Sequence, residues 1–175
     1  MKTISTIIML FFLSGCLGMP ENIAPVNDFQ LNKYLGRWYE VARLDHSFEK
    51  GLSNVTAEYR LNQDGGISVI NRGYSETKNQ WKEASGKAYF VRQPDQGYLK
   101  VSFFGPFYGS YVIFGIEEEN YDYSFVSGPN NDYLWLLSRT PSVDDSVIDA
   151  FITLSQQYDF NTEALIFVDQ NMNLQ

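Results

Sequence analysis

The chain has 175 residues, of which 13 are Lys or Arg, 21 are Asp or Glu, and one each is His and Cys. This length suits one domain or two small ones, and a formal charge of −8 without a basic cluster excludes the usual nucleic-acid-binding surface. A single Cys excludes an intramolecular disulfide and a single His excludes a His-cluster metal site, so we expect no metal and no cofactor. The aromatic content of 16% instead favours β structure.

The N-terminus carries a short apolar segment with a positive flank. Lys2 precedes residues 4–13, which are too few to span a bilayer as a helix but suit the hydrophobic region of a secretory signal. Residues 13–16, Leu-Ser-Gly-Cys, resemble the bacterial lipobox, in which the Cys is acylated and becomes the new N-terminus. We therefore predict a lipoprotein signal peptide over residues 1–15 and lipid attachment at Cys16. The alternatives are an ordinary signal peptide with an unmodified Cys, or a buried structural thiol.

Residues 16–28 contain two Pro and one Gly, and they predict a lipidated tether before a domain over residues 29–175. Stable anchoring requires two or more acyl chains, so the protein is expected to lie on a membrane without a spanning helix of its own. In lipoproteins of double-membraned bacteria an Asp after the Cys commonly retains the protein at the inner membrane. Leu17 stands there instead, which favours a periplasm-facing location at the outer membrane.

Eight apolar or β-branched segments separated by turn signals predict eight strands. They are residues 37–44, 55–61, 67–74, 81–91, 98–104, 111–116, 121–126 and 132–139. Residues 62–66, Asn-Gln-Asp-Gly-Gly, form the clearest hairpin signal. Eight strands in succession without intervening helices predict an all-β fold, an eight-stranded antiparallel up-and-down barrel. Eight is also the number of strands at which a closed barrel can hold one small ligand.

The last predicted strand is apolar on both faces over residues 133–137, so another element must cover it from outside. Residues 143–157 repeat apolar side chains at helical spacing, with Ser142 as a candidate N-cap. This pattern predicts a C-terminal helix packed on the outside of the barrel. A short closing strand is expected over residues 164–168.

Three motifs on this pattern resemble the signatures of the lipocalin family. Residues 36–43, Gly-Arg-Trp-Tyr-Glu-Val-Ala-Arg, resemble the first signature, whose core is Gly-X-Trp. Residues 131–133, Asn-Asp-Tyr, resemble the second, which usually begins with Thr, and Arg139 matches the third, a lone Arg before the helix. Residues 102–109 and the lipobox further resemble the bacterial outer-membrane lipoprotein members of the family.

The resemblance implies a barrel that is closed at one end and holds a lipophilic ligand, a fatty acid or a lysophospholipid, for storage or transport. It assigns structural roles, rather than catalytic ones, to the signature residues Gly36, Trp38, Asp132, Tyr133 and Arg139. In particular, Trp38 is expected to plug the closed end with the Arg139 guanidinium stacked on its ring. Some lipocalins dimerise, so the resemblance leaves a homodimer open.

Strand parity from the signature residues places Trp135 on the inward face. With it, the predicted ligand-binding residues are Tyr59, Asn71, Phe90, Phe103, Tyr108 and Tyr111. Apolar walls with a few hydroxyl or amide groups suit an acyl chain with a polar head. The alternative for each aromatic side chain is plain core packing, and a register error of one residue would invert its face.

Two other functions remain open at this point. The protein could be an envelope interaction or assembly lipoprotein with an incidental cavity, or a lipocalin-fold isomerase. The sequence disfavours an enzyme, because His46 is the single His and its sequence neighbours Asp45 and Ser47 point away from it. Lys82, beside Glu83, is expected on a solvated face rather than at a lipid headgroup.

Overall fold

The computed structural model describes residues 17–173, so the predicted signal peptide and Cys16 lie outside the described residues. Within that part of the chain nine strands and two α-helices follow one another. They are α1 (Leu31–Tyr34), β1 (Gly36–Leu44), β2 (Leu52–Leu61), β3 (Ile67–Ser75), β4 (Gln80–Phe90), β5 (Tyr98–Phe104), β6 (Phe107–Ile116), β7 (Tyr123–Ser127), β8 (Leu134–Ser138), α2 (Asp145–Gln157) and β9 (Leu165–Phe167). Single 3₁₀ turns lie at Glu76–Lys78, Thr162–Ala164 and Asn171–Asn173.

Strands β1 to β8 form a closed antiparallel barrel, which confirms the predicted fold. Each strand pairs with the next, and β1 pairs with both β2 and β8. Strand β9 pairs with β1 over Ala42–Leu44, beyond the point where β1 leaves β2. The Gln170 amide bridges β1 and β2 where they separate, because it donates to the carbonyls of Glu40 (2.7 Å) and Val55 (2.9 Å). Closure leaves the eight barrel strands without a long free edge.

The alternation of β8 divides the apolar core into two parts. Leu134 and Leu136 point outward and pack with Phe151 of α2, and these three side chains are fully buried. Trp135 and Leu137 point to the inside of the barrel. The predicted cover for a strand that is apolar on both faces is therefore confirmed, and the helix that provides it lies outside the barrel wall.

Helix α2 ends at the predicted residue but begins two residues later than predicted. Its N-cap is Asp144 rather than Ser142. The Thr140 hydroxyl donates to the Ser142 carbonyl at 2.7 Å, which engages that carbonyl before the first helical turn. The backbone N–H groups of Val147 and Ile148 instead bond the Asp144 carbonyl.

Four strands begin two residues or more away from the predicted position, and the other differences in strand bounds are of one residue. Strands β2 and β6 begin earlier, at Leu52 and Phe107, whereas β7 and β8 begin later. Tyr121 has φ 61° and lies in the turn before β7. Asp132 lies in the turn before β8, where its N–H bonds the Asn130 side-chain oxygen at 2.9 Å.

A short helix, α1, which the sequence pattern did not reveal, lies at one end of the barrel beside Trp38. The Trp38 indole donates to the Tyr34 carbonyl at 2.8 Å, and the Arg139 guanidinium lies 3.9 Å from the centre of the Trp38 ring. Arg139 also donates to the carbonyls of Arg37 (2.7 Å), Lys33 and Leu35 (3.1 Å). This closed-end cluster of Tyr34, Trp38 and Arg139 thus joins α1, β1 and the end of β8.

Gly36 opens β1 directly beside this cluster. Its φ of 94° lies in the left-handed region, where a side chain would be strained. A Cβ at this position would also lie 3.7 Å from the Arg139 guanidinium. The backbone conformation, rather than lack of space, accounts for glycine at this signature position.

Residues 17–28, which precede the barrel, lie along its outer wall. The Phe29 N–H bonds the Asp95 carbonyl at 2.9 Å in the turn between β4 and β5, and the Val26 N–H bonds the Ile113 carbonyl at 2.9 Å. Ile23 is buried in the outer core. At the start of the described chain, the Tyr98 hydroxyl donates to the Leu17 carbonyl at 2.6 Å. Within residues 17–173, none of the helices has the length and apolar character needed to cross a bilayer.

Replacing Arg139 with Lys should lower the free energy of unfolding by about 2 kcal/mol, because an ammonium cannot stack flat on Trp38 while donating to three carbonyls. Urea unfolding followed by circular dichroism measures the change. Arg37→Lys is the matched control, since Arg37 is exposed and its nearest carboxylate, Glu58, is 3.9 Å away. Equal losses in the two variants would contradict a special role for Arg139.

Candidate functional site

A cavity of about 430 Å³ occupies the part of the barrel interior that is farthest from the closed-end cluster. It opens between the β1–β2 loop, the β5–β6 turn and the β7–β8 turn, at the end of the barrel opposite the closed-end cluster. Its wall is mainly apolar, with Val55, Ala57, Val69, Val101 and Leu137 among the lining residues. The volume lies in the range of small-molecule sites, roughly 300–1,000 Å³.

Five of the seven predicted ligand-binding residues line this cavity. They are Tyr59, Asn71, Phe103, Tyr111 and Trp135. Each comes from a different strand, and strand alternation turns all five inward. The structure thus gathers them at one site.

Phe90 and Tyr108 do not line the cavity, and their assignment is corrected. Phe90 does point inward, but it lies at the closed end and packs edge-on against Phe29, with the ring centres 6.1 Å apart. Tyr108 alternates with Gly109 of the cavity wall and therefore faces outward. There its ring meets Tyr89 at 6.3 Å and the Lys100 ammonium at 5.0 Å.

Three tyrosines form the floor between the cavity and the closed end. The Tyr111 hydroxyl lies 2.6 Å from the Tyr34 hydroxyl and 2.8 Å from the Tyr59 hydroxyl. Burial raises the pKa of Tyr34 to about 12 and raises the pKa of Tyr59 and of Tyr111 well above the ordinary value. This tyrosine floor is therefore neutral at physiological pH, and its hydroxyls bond to one another.

One wall of the cavity carries a buried charged cluster of Glu40, Arg43, His46 and Glu49, which alternation did not predict. Arg43 lies 2.6 Å from the Glu40 carboxylate and also donates to the Glu49 carbonyl at 3.0 Å. His46 lies 2.9 Å from the Glu49 carboxylate, which in addition accepts a 3.1 Å hydrogen bond from the Trp135 indole. The cluster thus fixes the orientation of a cavity-lining ring.

A β-bulge explains why these charges are inside the barrel. The pairing of β1 with β8 shifts by one residue between Glu40 and Ala42. Regular alternation from Trp38 would turn Glu40 inward and Arg43 outward, but the extra residue brings Arg43 to the Glu40 side. The sequence signal that remains is a Glu and an Arg three residues apart in a strand that is otherwise largely apolar.

The two carboxyls of the charged cluster have opposite pKa shifts. Burial and the nearby Glu49 raise the pKa of Glu40 well above its ordinary value, with Arg43 acting in the opposite direction. Burial also acts to raise the pKa of Glu49, but the hydrogen bond and charge of His46, with smaller contributions from Trp135 and Arg43, lower it overall. Glu49 therefore carries the negative charge, while Glu40 holds its proton to higher pH.

The signature residues fall into two groups. Gly36, Trp38 and Arg139 meet at the closed end, as described above. Asp132 is exposed in the β7–β8 turn, whereas Tyr133 lines the cavity mouth, with its ring 6.1 Å from that of Trp135. Tyr133 was expected to be purely structural, and the structure places it beside the ligand entrance.

A second cavity of about 320 Å³ adjoins the mouth. It shares Phe48, Glu49, Val55, Asn71, Phe103 and Phe104 with the first. Its other side includes Arg72 and Lys82, which brings two cations next to the entrance. Lys82 is exposed as expected, but it also borders this cavity. Among residues 17–173 no group of His, Cys, Asp and Glu side chains is arranged to bind a metal ion.

Comparisons with known proteins give a consistent assignment. The lipocalin-like domain family matches residues 29–170. The outer membrane lipoprotein Blc of Vibrio cholerae is 65% identical to this chain, over 97% of this chain and 99% of its own length. The Escherichia coli protein of that name is 46% identical, over 86% of this chain and 85% of its own length. Insecticyanin from the tobacco hornworm has the same fold, with a TM-score of 0.68 at 21% identity over 87% of this chain and 86% of its own.

The raised pKa of Glu40 predicts how Glu40→Gln alters the pH dependence of stability. Above about pH 4.5 the unfolded carboxyl loses its proton while the folded one keeps it, so this residue's contribution to stability is full below that pH and falls as the pH rises. The difference in the free energy of unfolding, natural protein minus variant, should fall by up to about 1.4 kcal/mol per pH unit above pH 4.5.

Urea unfolding of both proteins from pH 4 to pH 8 measures this difference. A difference that stays constant above about pH 5 would show instead that Arg43 keeps Glu40 ionised in the folded protein, and would contradict the raised pKa of Glu40. Glu58→Gln, on the exposed face of β2 in contact with Arg60, is a control for carboxyl removal.

Proposed function

Because this chain belongs to the lipocalin family, we propose that it binds a single-chain lipid, a fatty acid or a lysophospholipid, and stores or transports it at the bacterial outer membrane. The observation that carries this proposal is the cavity of about 430 Å³, which has a mainly apolar wall, is closed by the tyrosine floor and is open at the opposite end of the barrel. The family and the names of the relatives point to a binding protein rather than an enzyme.

The apolar wall supplies the driving force for an acyl chain. Burial is worth about 0.8 kcal/mol per methylene, so ten buried methylenes give about 8 kcal/mol before the costs of association. Micromolar affinity needs about 8 kcal/mol after those costs are subtracted, so the acyl chain must bury more than ten methylenes to reach it. Val69, Val101 and Leu137 offer such a surface without a charged group.

The polar groups of the cavity favour a head group at the mouth rather than at the floor. The hydroxyls of the tyrosine floor bond to one another, and the Glu49 carboxylate is engaged by His46 and Trp135. A carboxylate or phosphate is better served near Arg72 and Lys82 beside the entrance. Fatty acids and lysophospholipids share this chemistry, an anionic head on one acyl chain.

The membrane location is proposed from the N-terminal sequence and the relatives together. Cys16 in its lipobox is the proposed acylation site, and relatives that match along most of the chain are named outer membrane lipoproteins. A lipid anchor would hold the barrel, facing the periplasm, next to the bilayer that contains its ligand.

The alternative functions have less support. A cavity filled by the protein's own side chains would favour an interaction lipoprotein, whereas this barrel leaves its cavity open. An isomerase would require groups free to transfer protons. The His46–Glu49 pair lines the cavity, but Glu49 is bound to both His46 and Trp135.

Gly109→Leu tests the cavity directly. Gly109 lines the cavity, and a Cβ there would meet no atom within 4 Å. A leucine should fill space that the acyl chain needs. Displacing about two methylenes lowers the affinity for palmitate or lysophospholipid about tenfold, as measured by calorimetry on delipidated protein.

Tyr108→Leu is the matched control for this variant, because it places a leucine on the outer face of the same strand, and it should keep its affinity. Urea unfolding verifies that Gly109→Leu folds. A folded Gly109→Leu protein with unchanged affinity, or a natural protein that binds neither lipid, would contradict the proposed function.

A further inference from the structure

Three exposed phenylalanines surround the mouth of the cavity. Phe48, in the β1–β2 loop, is 69% exposed, and Phe104 and Phe107, which flank the β5–β6 turn, are 73% and 72% exposed. All three also line the cavity. These residues are called the rim. Large apolar side chains grouped around an opening are unfavourable in water and mark a surface that contacts a membrane, another protein or a ligand.

The opposite end of the barrel differs. Leu61, at the end of β2, is the large apolar side chain most exposed there among the described residues, at 55%. It stands beside the polar turn of residues 62–66 rather than in a group of aromatic rings. The rim is therefore a property of the open end and not of the surface as a whole.

The described chain begins at the same end as the rim. Gly18 lies beside the β7–β8 turn, where a Cβ on it would lie 3.6 Å from the Pro129 carbonyl oxygen. The Tyr98 hydroxyl, which bonds the Leu17 carbonyl, reaches it along the outer wall from the start of β5. Pro129, in the β7–β8 turn, lines the cavity mouth. Because residues 17–28 run from the closed end to this turn, the proposed lipid attachment at Cys16 directly precedes a residue at the open end. Leu17 is itself exposed.

The charges next to the rim do not oppose contact with a membrane, although the whole chain is acidic. Lys50 lies 3.9 Å from Asp45 in the β1–β2 loop. Lys82 and Glu83 are neighbours on β4, and Arg72 stacks on the Trp81 ring at 4.1 Å. This mixture of signs avoids the repulsion that a purely acidic face would meet at an anionic bilayer.

We propose that the rim docks on the surface of the lipid bilayer, with Phe48, Phe104 and Phe107 inserted among the lipids around the cavity mouth. The inference rests on the proposed acylation of Cys16 and adds the orientation of the barrel and the surface that contacts the membrane. A lipid ligand then passes from the bilayer into the cavity without crossing bulk water. The anchor holds the protein at the membrane, and the rim turns the opening toward it.

The experiment uses the full lipidated protein with one added cysteine, at either Phe104→Cys or Leu61→Cys. Acylation occupies the Cys16 thiol, so an environment-sensitive fluorophore labels the added cysteine alone. Each protein is reconstituted into vesicles of phosphatidylethanolamine and phosphatidylglycerol that contain nitroxide-labelled acyl chains. The expected result is strong quenching of the label at position 104 and weak quenching at position 61.

Equal quenching at the two positions, or quenching at neither, overturns the proposal. The label at position 104 could also be shielded from water without being quenched by the nitroxide lipids. If that shielding increased with the density of protein on the vesicles, a second copy of the chain would cover the rim, which would also overturn the proposal. Mass spectrometry before labelling verifies the acyl groups, and their absence removes the anchor on which the orientation rests. Circular dichroism confirms that both variants fold.

Ligand binding by the same lipidated protein separates this proposal from the proposed function. If palmitate binds but position 104 is not quenched, the rim docking fails and the lipid-binding function stands. If position 104 is quenched but neither palmitate nor lysophospholipid binds, the orientation stands and the lipid-binding function fails.

Discussion

The contact of the Arg139 guanidinium with Trp38 is the constraint on which the rest of the barrel depends. It stacks a cation on a buried ring and at the same time bonds three carbonyls of the segment that enters β1. A barrel of eight strands is open at both ends unless something fills one of them. Because this cluster and α1 fill the closed end, the remaining interior of the barrel is a cavity with one entrance.

Two groups of polar side chains around the cavity bond to one another and leave the rest of its wall mainly apolar. The tyrosine floor is neutral and satisfied by its own hydroxyls, and Glu49 is engaged by His46 and Trp135. Unpaired polar groups in such a place would attract water and oppose an acyl chain. The charged cluster also orients Trp135, which lines the cavity. A change in the cluster is therefore expected to affect both the stability of the barrel and the shape of the cavity.

Much of this structure could be predicted from sequence, and the failures have identifiable causes. Period-two alternation placed Trp135 inside and Leu134 outside correctly, because β8 is regular. The same alternation would turn Arg43 outward, and the sequence does not show the bulge in β1 that inverts the face beyond Glu40. Alternation gave the right face but not the depth of Phe90, because depth depends on where Phe29 crosses the closed end. Tyr108 was misplaced because the start of β6 was set four residues too late.

The central claim is that the cavity holds one single-chain lipid while the protein is anchored to a membrane. Native mass spectrometry of the full-length lipidated protein, extracted from bacterial membranes in mild detergent, tests it most directly. The account predicts one non-covalently bound lipid per protein, with one acyl chain and an anionic head group, in addition to the covalent acyl groups. Protein that carries no bound lipid, or binds only two-chain phospholipids, would contradict it.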